Sequence, residues 1–209
     1  MKTIDLKKTL KPYYTASAAK PSIIDVPPMN CLMVDGMGDP NGQAFQEAVG
    51  TLYGVAYTLK FTFKKDKAID YPVMALEGLW CADDPADFLN GKRENWKWTL
   101  LIALPDIVTK KDVAQAIETV KKKAKFPRFP EVRFEKFHEG LTAQIMHVGP
   151  YATEGPTIER LHRFVEEQGY KLCGKHHEIY LSDPRRSAPE KLRTIIRHPV
   201  AKAGNKSAR

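Results

Sequence analysis

Apolar and polar residues alternate through His176-His177-Glu178-Ile179-Tyr180-Leu181-Ser182, a strand pattern closed by Asp183-Pro184. In such a strand Glu178, Tyr180 and Ser182 point to one face and Ile179 and Leu181 to the other, so a carboxylate stands beside a phenol. Proline cannot continue a central ladder, which predicts that this pair lies near a rim where a ligand could enter. A run of similar grammar comes earlier, from Tyr71-Pro72 to Asp84-Pro85. It again holds one glutamate, Glu77, in apolar company, then an aromatic, Trp80, and a closing Asp-Pro.

The likeness extends in both directions. Upstream, Met29 to Val34 with its loop Asp35-Gly36-Met37-Gly38-Asp39-Pro40 parallels Leu141 to Val148 with the loop from Gly149 to Pro156. Each leads into a helical stripe. Phe45, Val49 and Leu52 mark the first, over Gln43 to Leu59; Ile158, Leu161, Phe164 and Val165 mark the second, over Thr157 to Gln168, with Gly169 as its C-cap. Downstream, Trp96 to Leu104 and Lys191 to Arg197 read as strands ending at Pro105 and at His198-Pro199. Thr109 caps a further helix running to about Lys125 with Val113, Ile117 and Val120 inward. Ile23 to Pro28 is a short edge element, Phe61 to Asp66 an extended piece and turn, Ala86 to Asn95 a hairpin connection, and Val132 to Glu139 a strand.

The chain therefore reads as an internal duplication: strand, helix, carboxylate strand, final strand, twice over. Two units that cannot each bury a sheet face predict an α+β fold of tandem repeats about a pseudo-twofold axis. Antiparallel sheets would carry helices on one side, with a ligand cleft between the repeats. Repeat one spans about 23–125 and repeat two about 130–200, after a leader over 1–22 that packs through Leu6, Leu10, Tyr13 and Tyr14, and before a basic tail over 201–209.

With 209 residues, 43% of them hydrophobic, the chain can bury a substantial core. No apolar run approaches the roughly 20 residues of a bilayer helix, so no membrane partner is expected. The charged start Met1 to Lys8 is followed by no apolar core, so no secretory signal is read. Cys31, Cys81 and Cys173 lie far apart without CxxC spacing, which fits a reducing cytoplasm and argues against zinc. Adjacent His176 and His177 face opposite ways and cannot share a metal from a regular strand; no metal or cofactor is expected. The net charge of +8 invites a nucleic-acid reading, yet the positive residues sit in the leader, at Lys121-Lys122-Lys123, at Arg185-Arg186 and in the tail. Without a helix-turn-helix, zinc finger or RNP signature, this supports only nonspecific attraction to polyanions. The Asp35 to Pro40 loop lacks both GxGxxG spacing and a P-loop lysine, so it reads as a turn.

His147-Val148-Gly149-Pro150-Tyr151 leading into a helix, then Gly169-Tyr170 and His176 to Pro184, resembles the GyrI-like small-molecule-binding family, relatives of the effector domains of multidrug-sensing transcription activators. Leu76-Glu77-Gly78-Leu79-Trp80 resembles its stand-alone branch, which includes cyclopropanoid cyclopropyl hydrolases. The likeness covers about residues 20–200. It implies a lipophilic aromatic ligand, a glutamate matching Glu178 that meets cationic or polarised rings, and aromatic side chains around it. The residues before the first repeat are too few for a helix-turn-helix pair, which leaves a free-standing hydrolase or binder.

Opening a cyclopropane conjugated to a dienone needs water delivered to carbon and a donor for the developing phenolate. Glu178 would orient or deprotonate the water, Tyr180 would donate to the carbonyl oxygen, and Glu77 would assist from the other copy. Which carboxylate is the base stays open, because a close pair splits into acid and base. Trp80, Tyr53, Tyr151 and Tyr71 are the candidate stacking residues, and His177 a candidate contact or supporting donor. Plainer roles stand beside these: Trp80 as core, Tyr53 and Tyr57 as packing, with the balance toward packing for Tyr57. Ser182 has no His/Asp constellation and makes a poor nucleophile. Two readings remain, water addition that detoxifies a DNA-alkylating cyclopropanoid, or non-catalytic sequestering of lipophilic or cationic aromatics.

Overall fold

The computed structural model describes residues 1–84, 86–124 and 129–204. In chain order its principal elements are β1 (Ser22–Val26), β2 (Met29–Met37), α1 (Gln43–Asp66), β3 (Leu76–Cys81), β4 (Lys97–Leu104), α2 (Lys110–Lys121), β5 (Arg133–Phe137), β6 (Gly140–Val148), α3 (Gly155–Glu167), β7 (Tyr170–Leu172), β8 (His176–Tyr180) and β9 (Arg193–Lys202). The expected strand-helix-strand-strand order occurs twice, as β2-α1-β3-β4 and β6-α3-β8-β9. Both repeats hydrogen-bond in the same antiparallel order, β3-β4-β2 and β8-β9-β6. The fold is α+β.

Two compact units result, one of Met1–Lys11 with Met29–Phe137, the other of Pro12–Pro28 with the chain from His138 onward. Each sheet is completed by a strand that in sequence precedes the other repeat. β5 lies along β2, with Phe137 opposite Met29, and β1 lies along β6, with Val26 opposite Gly140. Pro27-Pro28 after β1 and Pro130 before β5 suit end strands, where a missing N–H costs little.

In the first unit α1 buries Leu52, Val55, Ala56, Leu59 and Phe63. The helix runs to Asp66, so the extended piece expected at Phe61 to Asp66 is helical. Aromatic and β-branched residues mimic a strand locally, but Phe63 lies one turn beyond Leu59, is 1% exposed, and meets the Tyr71 ring edge-on at 5.9 Å. β2 likewise continues past Val34 to Met37. A Cβ on Gly36 would fall 2.0 Å from the Trp98 ring, so this glycine lets an indole cross the strand and does not make a turn. A capping box between Thr109 and Asp112 starts α2, which ends at Lys121; Lys125, its expected end, lies outside the described residues.

In the second unit Ala143, Ile145, Ile196 and Val200 of the sheet pack against Leu161 and Val165 of α3, with Ile158 and Tyr170 at the margin. Each buried Val, Leu or Ile among these contributes about 1.5–3 kcal/mol. Gly169, at φ 74°, follows α3 as the predicted cap. β9 does not stop at His198-Pro199 but continues to Lys202. Pro199 faces Thr142 at the last pair with β6, and pairing with β7 begins at Val200, so the missing N–H falls where the strand changes partners. The later part of the leader, from Pro12, is bound into this unit as well. Carbonyls of Tyr13, Thr15, Ser17 and Ala18 accept from Arg197, Gln144, the Met146 amide and Arg160. Among the described residues no helix is long and apolar enough to cross a membrane.

Candidate functional site

The alternation of β8 brings Glu178 and Tyr180 to one face, as expected, with His176 beside them, while Ser182 lies beyond the strand's end. Glu178 is in register with Ile196 and Ile145, core residues beneath α3, so this is the helix-bearing face. The Tyr180 hydroxyl donates to Oε2 of Glu178 at 2.7 Å, and Nε2 of His176 lies 3.0 Å from Oε1. The Glu178 side chain is 16% exposed. The Tyr151 ring, 40% exposed, stands edge-on to Tyr180 at 5.7 Å.

A second carboxyl that the periodicity did not reveal, Glu154, meets Glu178. The loop before α3 explains its place. His147 Nε2 donates to the Pro150 carbonyl at 3.2 Å, while Nδ1 faces the Thr157 hydroxyl at 3.0 Å. Thr153 Oγ1 also donates to the Pro150 carbonyl, at 2.8 Å, and the Glu154 amide donates to Tyr151 at 3.1 Å. Gly149, at φ 138°, is the residue that lets the chain turn so tightly against His147. The His-Val-Gly-Pro-Tyr motif is therefore a clamp that aims Glu154 at the strand.

Burial, then the negative charge of Glu178, pushes the Glu154 carboxyl up to about 9. Burial also disfavours charge on Glu178, but hydrogen bonds from His176, Tyr180 and Glu154 together with the His176 charge outweigh it, and its pKa is lowered. At neutral pH one carboxyl holds a proton and its neighbour does not, the division that acid/base pairs require.

The opposite face of β8 is differently employed. His177, a predicted ligand contact, is 1% exposed, and its Nδ1 lies 2.8 Å from Oε1 of Glu139. Oε2 of Glu139 accepts from Arg197 at 3.2 Å, and Arg197 also donates to Gln144 at 3.0 Å. Burial works against charge on Glu139, but the charges and hydrogen bonds of His177 and Arg197 prevail and hold its pKa down. This buried network ties strands and leader together, on the side away from Glu178.

Known proteins resemble this chain in sequence and in fold. A GyrI-like small molecule binding domain matches residues 105–201, the stretch that holds Glu154, Glu178 and Tyr180. The crystal structure of an uncharacterized conserved protein from Listeria innocua is 42% identical over 95% of this chain and 100% of that one, with a TM-score of 0.88. A hydrolase from Listeria innocua is 41% identical over 95% of this chain and 100% of its own, with a TM-score of 0.82. The chain belongs to the GyrI-like family. The EcmrR C-terminal domain shares the fold at 13% identity, with a TM-score of 0.53 over 88% of this chain and 98% of that one. No curated protein matches.

In the first repeat of this GyrI-like chain the expected parallel with Glu178 shifts by one residue. Trp80 is in register with Trp98 and Gly36 and stacks on Phe45 of α1 at 5.7 Å, so it takes the helix-bearing face, as Tyr180 does. The position matching Glu178 is then Gly78. Glu77, 3% exposed, points to the other face in register with Leu101 and Met33; burial and then its charge push the Cys31 thiol up. A one-residue slip exchanges the faces of a strand. Trp80 is itself 6% exposed, within a ring cluster that includes Trp96 at 6.1 Å.

Tyr71, 2% exposed, is a core ring against Phe63, and burial, with the Asp112 charge, raises its hydroxyl. Tyr53 stacks on Tyr57 at 6.2 Å, and Tyr57 on Phe61 at 6.2 Å. Tyr57 is 46% exposed, so the core role weighed for it does not hold. Among the described residues no cluster of histidine, cysteine and carboxylate side chains could hold a metal ion.

Proposed function

We propose that this GyrI-like chain is a hydrolase that adds water across the cyclopropane of cyclopropanoid aromatic compounds of the DNA-alkylating kind, and so detoxifies them. The observation that carries the reading is the ionised, enclosed Glu178, fixed by His176 and Tyr180 beside a neutral Glu154. A carboxylate with one face held by donors keeps a definite lone pair for a water molecule. Glu178 takes a proton from that water as its oxygen bonds to the ring methylene; the strained carbon–carbon bond breaks and its electrons pass to the dienone oxygen. Tyr180 already donates to Glu178, so its part is to orient the base, and the phenolate takes its proton from solvent. Tyr151 offers an exposed aromatic edge for the substrate. The family's small-molecule-binding domain and a 41% identical hydrolase support the reading.

The second reading is a sink for cationic or lipophilic aromatics, favoured by the same enclosed negative charge among rings. Incubation with a cyclopropane-bearing dienone separates the two. Mass spectrometry should find a ring-opened product heavier by one water; saturable binding with unchanged compound would overturn hydrolysis.

A further inference from the structure

Two glycines, Gly50 and Gly54, sit inside α1 on the side that meets α2. Glycine is the poorest helix former after proline, so each position asks for a reason. Gly54 has one within the fold: a Cβ there would lie 3.2 Å from Val120 of α2, so its bare backbone lets the helices close. Gly50 has none, since a Cβ there would meet nothing within 4 Å. Both glycines line an open groove of about 250 Å³ between the helices, together with Thr51, Thr58, Val120 and Lys123.

A second observation points into the same groove. Thr51 is 1% exposed, and its Oγ1 has no hydrogen-bond partner. A buried hydroxyl is ordinarily paired, and a helical threonine can pair with the carbonyl four residues back. Thr119, which lines the groove from α2, does so, donating to Gln115 at 2.8 Å; Thr51 does not. The chain leaves α2 through Lys121-Lys122-Lys123, and the last of these brings a cation to the groove. Glu47, one turn before Thr51, is engaged elsewhere, accepting from Gln43 at 2.7 Å. Lys67 at the end of α1 pairs with Asp112 in the first turn of α2 at 2.9 Å, which pins the two helices at their other ends.

We propose that the groove between α1 and α2 is a second ligand site, which takes a small monocarboxylate with a slim apolar body. The carboxylate pairs with Lys123, the body lies along Gly50, Gly54 and Val120, and the Thr51 hydroxyl finds its partner in a ligand oxygen. At about 250 Å³ the groove falls short of the roughly 300 Å³ at which drug-sized pockets begin, so it does not suit a polycyclic compound. Its ligand is thus unlike the one expected beside Glu178: anionic and small. The groove belongs wholly to the first unit, and Glu178 to the second.

Octanoate and phenylacetate are the probes, with octanamide and phenylacetamide as uncharged controls. Titrated into the nitrogen-15-labelled full chain, at least one carboxylate should saturate and shift the amides of Gly50, Thr51, Gly54 and Lys123, binding at least tenfold more tightly than its amide. Lys123→Gln should erase that preference. Thr51→Val, which keeps the shape and removes the hydroxyl, should weaken acid and amide alike by several-fold. Gly50→Leu, which fills the groove, should abolish binding while melting at or above the wild-type temperature, because leucine is much the better helix former. Glu178→Gln should bind the probes as wild type does. Amides that neither carboxylate moves, or wild-type affinity in both Gly50→Leu and Lys123→Gln, overturn the site.

Discussion

The Tyr180 hydroxyl and the Glu178 carboxylate, two residues apart on one strand and 2.7 Å from each other, behave as one group: the phenol spends its proton on holding the carboxylate charged. Tyr180→Phe removes a hydrogen bond to an ion, worth about 1.5–3 kcal/mol. The pKa of Glu178, now lowered, should rise, so the acidic limb of a kcat/KM profile moves to higher pH by about one unit or more. An unmoved limb would show that the phenol does not tune this carboxylate.

Glu178→Gln keeps shape and removes the base. Turnover should drop by at least about a hundredfold, the usual weight of a positioned general base, while an aromatic ligand without positive charge binds within a few-fold of wild type. Binding measured by calorimetry alongside product formation by mass spectrometry distinguishes loss of chemistry from loss of the site.

Glu154 makes a prediction about stability with the opposite sign from most carboxylates. Its folded pKa, about 9, lies above the unfolded value, so the folded state binds the extra proton. The stability this contributes is complete below the unfolded pKa and is lost as pH rises toward about 9. Glu154→Gln is neutral at every pH and should melt a few degrees higher than wild type near pH 8, with little difference near pH 4. Calorimetric melts across that range check the crossing, and a variant that melts lower at all pH values would contradict it.

Gly36 tests the first unit. A methyl there would lie 2.0 Å from an indole that cannot retreat from its ring cluster, so Gly36→Ala should cost about 1–3 kcal/mol in urea unfolding. Alanine at Gly50, whose Cβ would meet nothing within 4 Å, is the control and should stabilise slightly.

What the sequence made legible follows physical period. The duplication and the pairing of Glu178 with Tyr180 depend only on alternation and could be read directly. Glu154 lies in a loop, where no period exists; its signal was the carboxylate set just before Gly155-Pro156 at a helix start. Matching Glu77 to Glu178 by charge failed because strand position is set by which side faces the helix, and Trp80 holds that side. Phe61 to Asp66 and Pro199 depart from local preference for a related reason: burial of Phe63 and a change of strand partner are tertiary facts that local preference does not carry.

The reciprocal loan of β1 and β5 bears on how such a chain could arise. An ancestor with one repeat and one leading strand would have had nowhere to place that strand except on a second molecule, so it would have lived as an interlocked homodimer. Joining two such copies in one chain would turn an intermolecular obligation into an intramolecular one. Within one chain, one copy can carry the enclosed glutamate while the other carries glycine at the matching place, a divergence closed to a symmetric pair.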